Sequence, residues 1–111
     1  MYKIAFVEDE EDLNALIKTY LEHEGYEVTS YLNGTDAIKD IDENPDLWIL
    51  DIMLPGDISG YDIIKKIREK NDVVPVIFTS ARDEQLDKII GLELGSDDYI
   101  TKPYSPKELV L

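Results

Sequence analysis

The sequence predicts an α/β fold: a five-stranded parallel sheet with helices on both faces. Three observations carry this expectation. Short apolar runs alternate five times with stretches of helical spacing. Most runs are apolar at consecutive positions, as in strands covered on both sides. The length, 111 residues, suits one domain and leaves no room for two.

The elements follow in order. Ile4-Ala5-Phe6-Val7 reads as a buried strand. Leu13, Leu16, Ile17, Tyr20 and Leu21 then recur at helical spacing, and Gly25 closes that helix. Glu27 to Tyr31 alternates polar and apolar, the pattern of an edge strand. Asn33-Gly34-Thr35 turns the chain into a second helix, with Ala37, Ile38 and Ile41 on one face, and Asn44-Pro45 breaks it. Leu47 to Leu50 is the next buried strand, and Trp48 within it reads as core. Tyr61, Ile64, Ile67 and Arg68 fit a third helix after Gly60. Val76-Ile77-Phe78 is the fourth strand; Leu86, Ile89, Ile90 and Leu94 form a fourth helix ended by Gly95. Tyr99-Ile100 is a short fifth strand, and Ser105-Pro106 starts a last helix, with serine as cap and proline in the first turn. From Pro106 to Leu111 that helix has only six residues, so the expectation is a sequence truncated inside it.

Composition narrows the function. There are no cysteines, which excludes disulfides and thiolate metal sites and fits a cytoplasmic protein. No apolar run approaches the roughly 20 residues of a membrane helix. The chain enters a strand directly at Met1-Tyr2-Lys3-Ile4, without the pattern of a signal peptide. The net charge of −14 repels nucleic acid, so DNA binding by this segment itself is not expected. That charge reads either as a solvated surface or as carboxylates that hold a cation; position decides.

In an open parallel sheet, ligands bind beyond the carboxyl ends of the strands. The first strand ends in Glu8-Asp9, the third in Asp51, the fourth in Thr79-Ser80-Ala81, the fifth in Thr101-Lys102-Pro103. Each has an ordinary explanation alone. Glu10, Glu11 and Asp12 complement a helix dipole, Asp51 suits a turn, Ser80 a cap, and Lys102 a surface charge. Together, in a flavodoxin-like strand order, they converge on one edge. Three close carboxylates resist ionisation, a hard divalent cation relieves this, and oxygen ligands suit Mg2+. A carboxylate there can act as a nucleophile toward phosphorus, with Lys102 adding positive charge and Ser80 a hydrogen bond.

The runs Val7-Glu8-Asp9-Glu10, Asp51-Ile52-Met53-Leu54-Pro55-Gly56, Thr79-Ser80-Ala81-Arg82, Gly95-Ser96-Asp97-Asp98-Tyr99 and Ile100-Thr101-Lys102-Pro103 resemble response-regulator receiver domains. The resemblance runs from Tyr2 to Leu111. The stretch from Asp97 to Leu109 is most similar to the OmpR/PhoB subfamily. It implies a flavodoxin-like (CheY-like) sheet of order 2-1-3-4-5. It implies Asp51 as phosphoacceptor and Mg2+ held by Asp9, Asp51 and the Met53 carbonyl, with Glu8 acting through water. Ser80 would be the switch hydroxyl, Lys102 the phosphoryl partner and Tyr99 the aromatic switch. Met53 and Arg82 would tune the site, and Lys102-Pro103 would be a cis peptide. Thr79, one residue from Ser80, should point to the other face of its strand.

The resemblance further implies a phosphorelay: a sensor histidine kinase as donor, and a homodimer through the fourth helix, fifth strand and fifth helix when phosphorylated. Candidate dimer residues are Lys88, Glu93, Asp97, Asp98, Lys107 and Glu108. DNA would be bound only by a missing C-terminal domain. The sequence departs from the family pattern in two places: an extra residue within Gly56-Asp57-Ile58-Ser59, and two adjacent hydroxyls, Thr79 and Ser80, after Phe78, of which Ser80, immediately before the alanine, is the expected switch. His23 should be exposed and is not expected to be a phosphodonor. Two rivals fit less well. A flavodoxin-like cofactor carrier would not place the acids Glu8 to Asp12 in its phosphate loop, and no Gly-x-Gly-x-x-Gly is present. A phosphatase of the aspartyl-phosphate type would carry an aspartate where Met53 stands.

Overall fold

A computed structural model describes residues 1–71, 73–80 and 98–101, with Ser80 and the last four described through their backbone alone. The strands are β1 (Lys3–Val7), β2 (Glu27–Tyr31), β3 (Leu47–Asp51), β4 (Val76–Ser80) and β5 (Asp98–Thr101). Between them lie α1 (Glu11–His23), α2 (Gly34–Lys39) and α3 (Gly60–Lys70). The sheet is parallel throughout, in the expected order β2-β1-β3-β4-β5. β2 lies at an edge, as its alternating pattern indicated. The fourth and fifth helices expected from the sequence lie outside the described residues.

Alternation along the central strands builds two cores. Ile4, Phe6, Leu47, Ile49 and Ile77 face one side, where α1 buries Ile17 and Leu21. Ala5, Val7, Trp48, Leu50, Val76 and Phe78 face the other, against Ala37 of α2 and Ile63, Ile64 and Ile67 of α3. Side chains on a strand alternate between faces, so a strand buried on both sides must be apolar at successive positions. Each fully buried leucine or isoleucine contributes roughly 1.5–3 kcal/mol. Trp48 is core, as expected, and His23 is exposed.

Three sequence expectations change. Leu16 is 59% exposed, and the buried stripe of α1 is Asn14, Ile17 and Leu21, a 3-then-4 spacing that includes an amide and leaves Leu16 on the flank. The second helix stops at Lys39 and tightens into a 3-10 turn, Ile41–Glu43. Asp40 caps it, and Asn44 takes a left-handed φ of 53°. Ala37, Ile38 and Ile41 still share the core side. The fifth strand extends one residue beyond Tyr99-Ile100 at each end. Among the described residues no helix is long and apolar enough to cross a membrane.

Candidate functional site

The chain runs from β1 outward to β2, then crosses back to β3 on the other side of β1. Strand order therefore reverses between β1 and β3, which opens a crevice beyond their carboxyl ends. Glu8 and Asp9 directly follow β1, and Asp51 ends β3. Carboxylate oxygens of Glu8, Asp9 and Asp51 lie within 4.8 Å of one another. Glu8 and Asp51 are buried, at 0% and 3% exposure, and Asp9 is exposed at the mouth.

Short local hydrogen bonds orient the two buried acids. The Glu10 N–H donates to Glu8 Oε2 at 3.0 Å. The Met53 N–H donates to Asp51 Oδ1 at 3.0 Å, which folds the Met53 peptide over the carboxylate. The Met53 side chain stays 52% exposed at the rim. Carboxylates this close repel one another, and burial adds to the cost of their charge. An all-oxygen donor set with no nitrogen or sulfur suits a hard divalent cation, so the residues present fit Mg2+.

The β3–α3 connection wraps tightly around Asp51. The Gly60 N–H donates to the Ile52 carbonyl at 3.1 Å, and a Cβ on Gly60 would overlap the Asp51 carbonyl oxygen. Ser59 caps α3 in a reciprocal box with Asp62. The backbone N–H of Ser59, above all, holds the Asp62 carboxyl below the usual carboxylate range. The extra residue falls in a loop that turns at Gly56, where φ is +85°. Ile58 then folds inward against Gly34 at the start of α2. Asp57 remains exposed and is not part of the acidic cluster.

Of the residues singled out in the sequence, the structure brings Glu8, Asp9 and Asp51 together. Thr79 pairs in register with Asp51 and is buried, its hydroxyl 3.5 Å from the Leu50 carbonyl. Ser80 ends β4 opposite Thr101, and Tyr99 pairs with Phe78; both are described through their backbone alone. Asp98 opens β5 on the same terms. Arg82, Lys88, Glu93, Asp97, Lys102, Pro103, Lys107 and Glu108 lie outside the described residues.

Two residues near the acids were not legible as such in the sequence. In the sequence Gly60 marks only the position after which the third helix begins. Asn14, 4% exposed, donates through Nδ2 to the carbonyls of Glu8 at 3.0 Å and Tyr31 at 3.1 Å. The signal that would have found it is its spacing: a polar residue three before Ile17 and seven before Leu21 sits on the buried face.

The profile of the family described as "Response regulator receiver domain" matches residues 4–111. The chain belongs to the response-regulator receiver domain family. It is 56% identical over 110 residues to the transcriptional regulatory protein CssR of Bacillus subtilis (strain 168), covering 99% of this chain and 48% of that protein. The receiver chain thus spans about half the length of this curated relative. Among solved structures it is similar to DrrB, a Thermotoga maritima OmpR/PhoB homologue. The TM-score is 0.89 and the identity 35%, covering 99% of this chain and 49% of that chain. It is also similar to TrrA of Thermotoga maritima, solved in complex with Mg2+ and BeF. There the TM-score is 0.85 and the identity 34%, covering 98% of this chain and 93% of that chain. The acidic cluster described above is therefore the acidic pocket of a receiver domain, and its likeness is to the OmpR/PhoB branch.

Proposed function

We propose that Asp51 accepts a phosphoryl group from a phosphohistidine of a sensor kinase. The observation that carries this is the approach of the Glu8, Asp9 and Asp51 carboxylates at the switch point of the sheet. An Asp51 carboxylate oxygen attacks phosphorus, the O–P bond forms, and the N–P bond to the donor imidazole breaks with its electron pair leaving on nitrogen. Asp9, Asp51 and the Met53 carbonyl would hold Mg2+, with Glu8 acting through water, and the cation would supply charge that offsets the phosphoryl oxygens. The Met53 amide keeps Asp51 Oδ1 in place. Lys102 pairs with the bound phosphoryl group and Ser80 hydrogen-bonds it. Tyr99 turns inward in response, and Met53 and Arg82 set how fast water removes the group. The complex of TrrA with Mg2+ and BeF supports the choice of cation and of an anion at this site.

The chain is a signalling domain rather than an enzyme acting on a free substrate. The length of CssR and its description as a transcriptional regulatory protein support a longer regulator here. In it, residues 1–111 form the N-terminal receiver and a further domain binds DNA in the cytoplasm. Phosphorylation favours a homodimer through the fourth helix, β5 and the fifth helix, with Lys88, Glu93, Asp97, Asp98, Lys107 and Glu108 as its charged residues. The test is incubation with a small acyl phosphate and Mg2+ followed by intact mass. The wild-type chain should gain one phosphoryl group and Asp51→Asn none; equal gain by both would refute the assignment.

A further inference from the structure

We infer that Asn14 is a positioning residue for the cation site: its side-chain amide fixes the strand end from which Glu8 and Asp9 project. This rests on the reading of that site as a Mg2+ site.

The β1–β2 ladder ends at Val7 and Tyr31. Beyond it the backbone continues with one more bond, from the Glu8 N–H to the Tyr31 carbonyl at 3.0 Å. Asn14 reaches into this end from α1. Its Nδ2 carries two hydrogens, enough for the carbonyls of both Glu8 and Tyr31, at 3.0 and 3.1 Å. The Glu8 carbonyl and the Asp9 nitrogen share one planar peptide. Holding that carbonyl therefore holds the plane from which the Asp9 side chain departs.

The two acids differ in what orients them. The Glu8 carboxylate receives the Glu10 N–H. Among the described residues none hydrogen-bonds the Asp9 carboxylate, so its direction is set by its backbone alone, and Asn14 is the side chain that fixes that backbone. The amide is almost fully buried on a helix whose other inward residues, Ile17 and Leu21, are apolar. A buried amide that served packing alone would be replaceable by leucine; one that aims a ligand would not.

The experiment is a Mg2+ titration of the chain by calorimetry and backbone amide shifts. It compares wild type, Asn14→Leu, Asn14→Ala, Asp9→Asn and Val28→Ala. Val28 is buried between β2 and α1 in the α1-side core, so its truncation loosens the same helix without touching the two carbonyls. Asn14→Leu should raise the Mg2+ Kd about tenfold, as loss of groups that orient metal ligands does. Asn14→Ala should raise it less, because the vacated space admits a water that bridges the carbonyls. If the leucine variant does not fold, the alanine variant carries the test. Val28→Ala should keep the wild-type Kd. A wild-type Kd in the Asn14 variants alongside lost binding in Asp9→Asn would overturn the positioning role and leave the site reading intact. So would an equal loss in Val28→Ala. Wild-type affinity in Asp9→Asn would overturn the site reading itself.

Discussion

Gly60 lies directly against the backbone carbonyl of Asp51, so close that a Cβ would overlap its oxygen. The first turn of α3 is thereby pressed onto the residue that ends β3. The obstacle is backbone, which cannot swing aside as a side chain can. Gly60→Ala should therefore destabilise the fold by about 1–3 kcal/mol, the usual cost of overpacking, in urea denaturation. It should also shift the amide resonances of Asp51 to Met53. A stability within 0.5 kcal/mol of wild type, about that of an ordinary surface substitution, would contradict the contact.

Gly34 and Ile58 form a related pair, in which a Cβ on Gly34 would meet the Ile58 side chain and carbonyl. Gly34→Ala should also destabilise, and Ile58→Ala added to it should recover part of the loss. Strict additivity in a double-mutant cycle would show that the inserted loop does not rest on α2.

Three carboxylates within 4.8 Å should make stability depend on divalent cation. At a Mg2+ concentration about a hundred times its Kd, the wild-type chain should gain about 2.7 kcal/mol of unfolding free energy. Asp9→Asn and Asp51→Asn should gain little. Thermal unfolding with and without Mg2+ reads this directly, and equal gains in all three chains would place the cation elsewhere.

The Tyr31 hydroxyl donates to Asp40 Oδ2 at 2.9 Å, and burial first, then this bond, pushes its pKa well above the ordinary 10.0. The protonated form is the one the fold prefers. The stabilisation is complete below pH 10, and it is lost as pH rises from there toward the folded-state value. Tyr31→Phe should cost about 1 kcal/mol at neutral pH and flatten the loss of stability above pH 10. Denaturation midpoints at pH 8 to 11 check this; parallel curves for the two chains would contradict it.

At the other end of the pH range, the α3 cap contributes. The Asp62 carboxyl is held below its ordinary 3.8 by the Ser59 backbone N–H. Its stabilisation is present above that value and is lost as pH falls through the lowered folded-state pKa. Ser59→Ala should cost about 1 kcal/mol, read as a lower urea midpoint at neutral pH.

The fold was legible because parallel strands buried on both faces must be apolar at successive positions, and Ile4 to Val7 and Leu47 to Leu50 are. The acids of the site were legible because Glu8, Asp9 and Asp51 each stand at a strand end, where the topology has to bring them together. The parts that were not legible depend on contacts between distant segments. Asn14 shares the face of Ile17 and Leu21, but its polarity hides it from an apolar pattern, and only the two carbonyls at the ends of β1 and β2 give the amide partners inside. Gly60 and Gly34 read as turn residues, because a sequence does not show which backbone will approach them. The second helix stops early where Asp40 takes the Tyr31 hydroxyl, a pairing nine residues apart with no periodic signature. The inserted residue was visible, but its resting place was not, since Ile58 is an unremarkable isoleucine until Gly34 opens a space for it.

We propose that the carboxylate of Asp51, held among Glu8 and Asp9, is the group that takes the phosphoryl. The most direct measurement is site-resolved. The chain is treated with a small acyl phosphate and Mg2+, reduced with borohydride to convert an aspartyl phosphate into homoserine, and sequenced by peptide mass spectrometry. Homoserine at position 51, and at none of the other aspartates, is the predicted result. Homoserine at another aspartate with position 51 unchanged would contradict it.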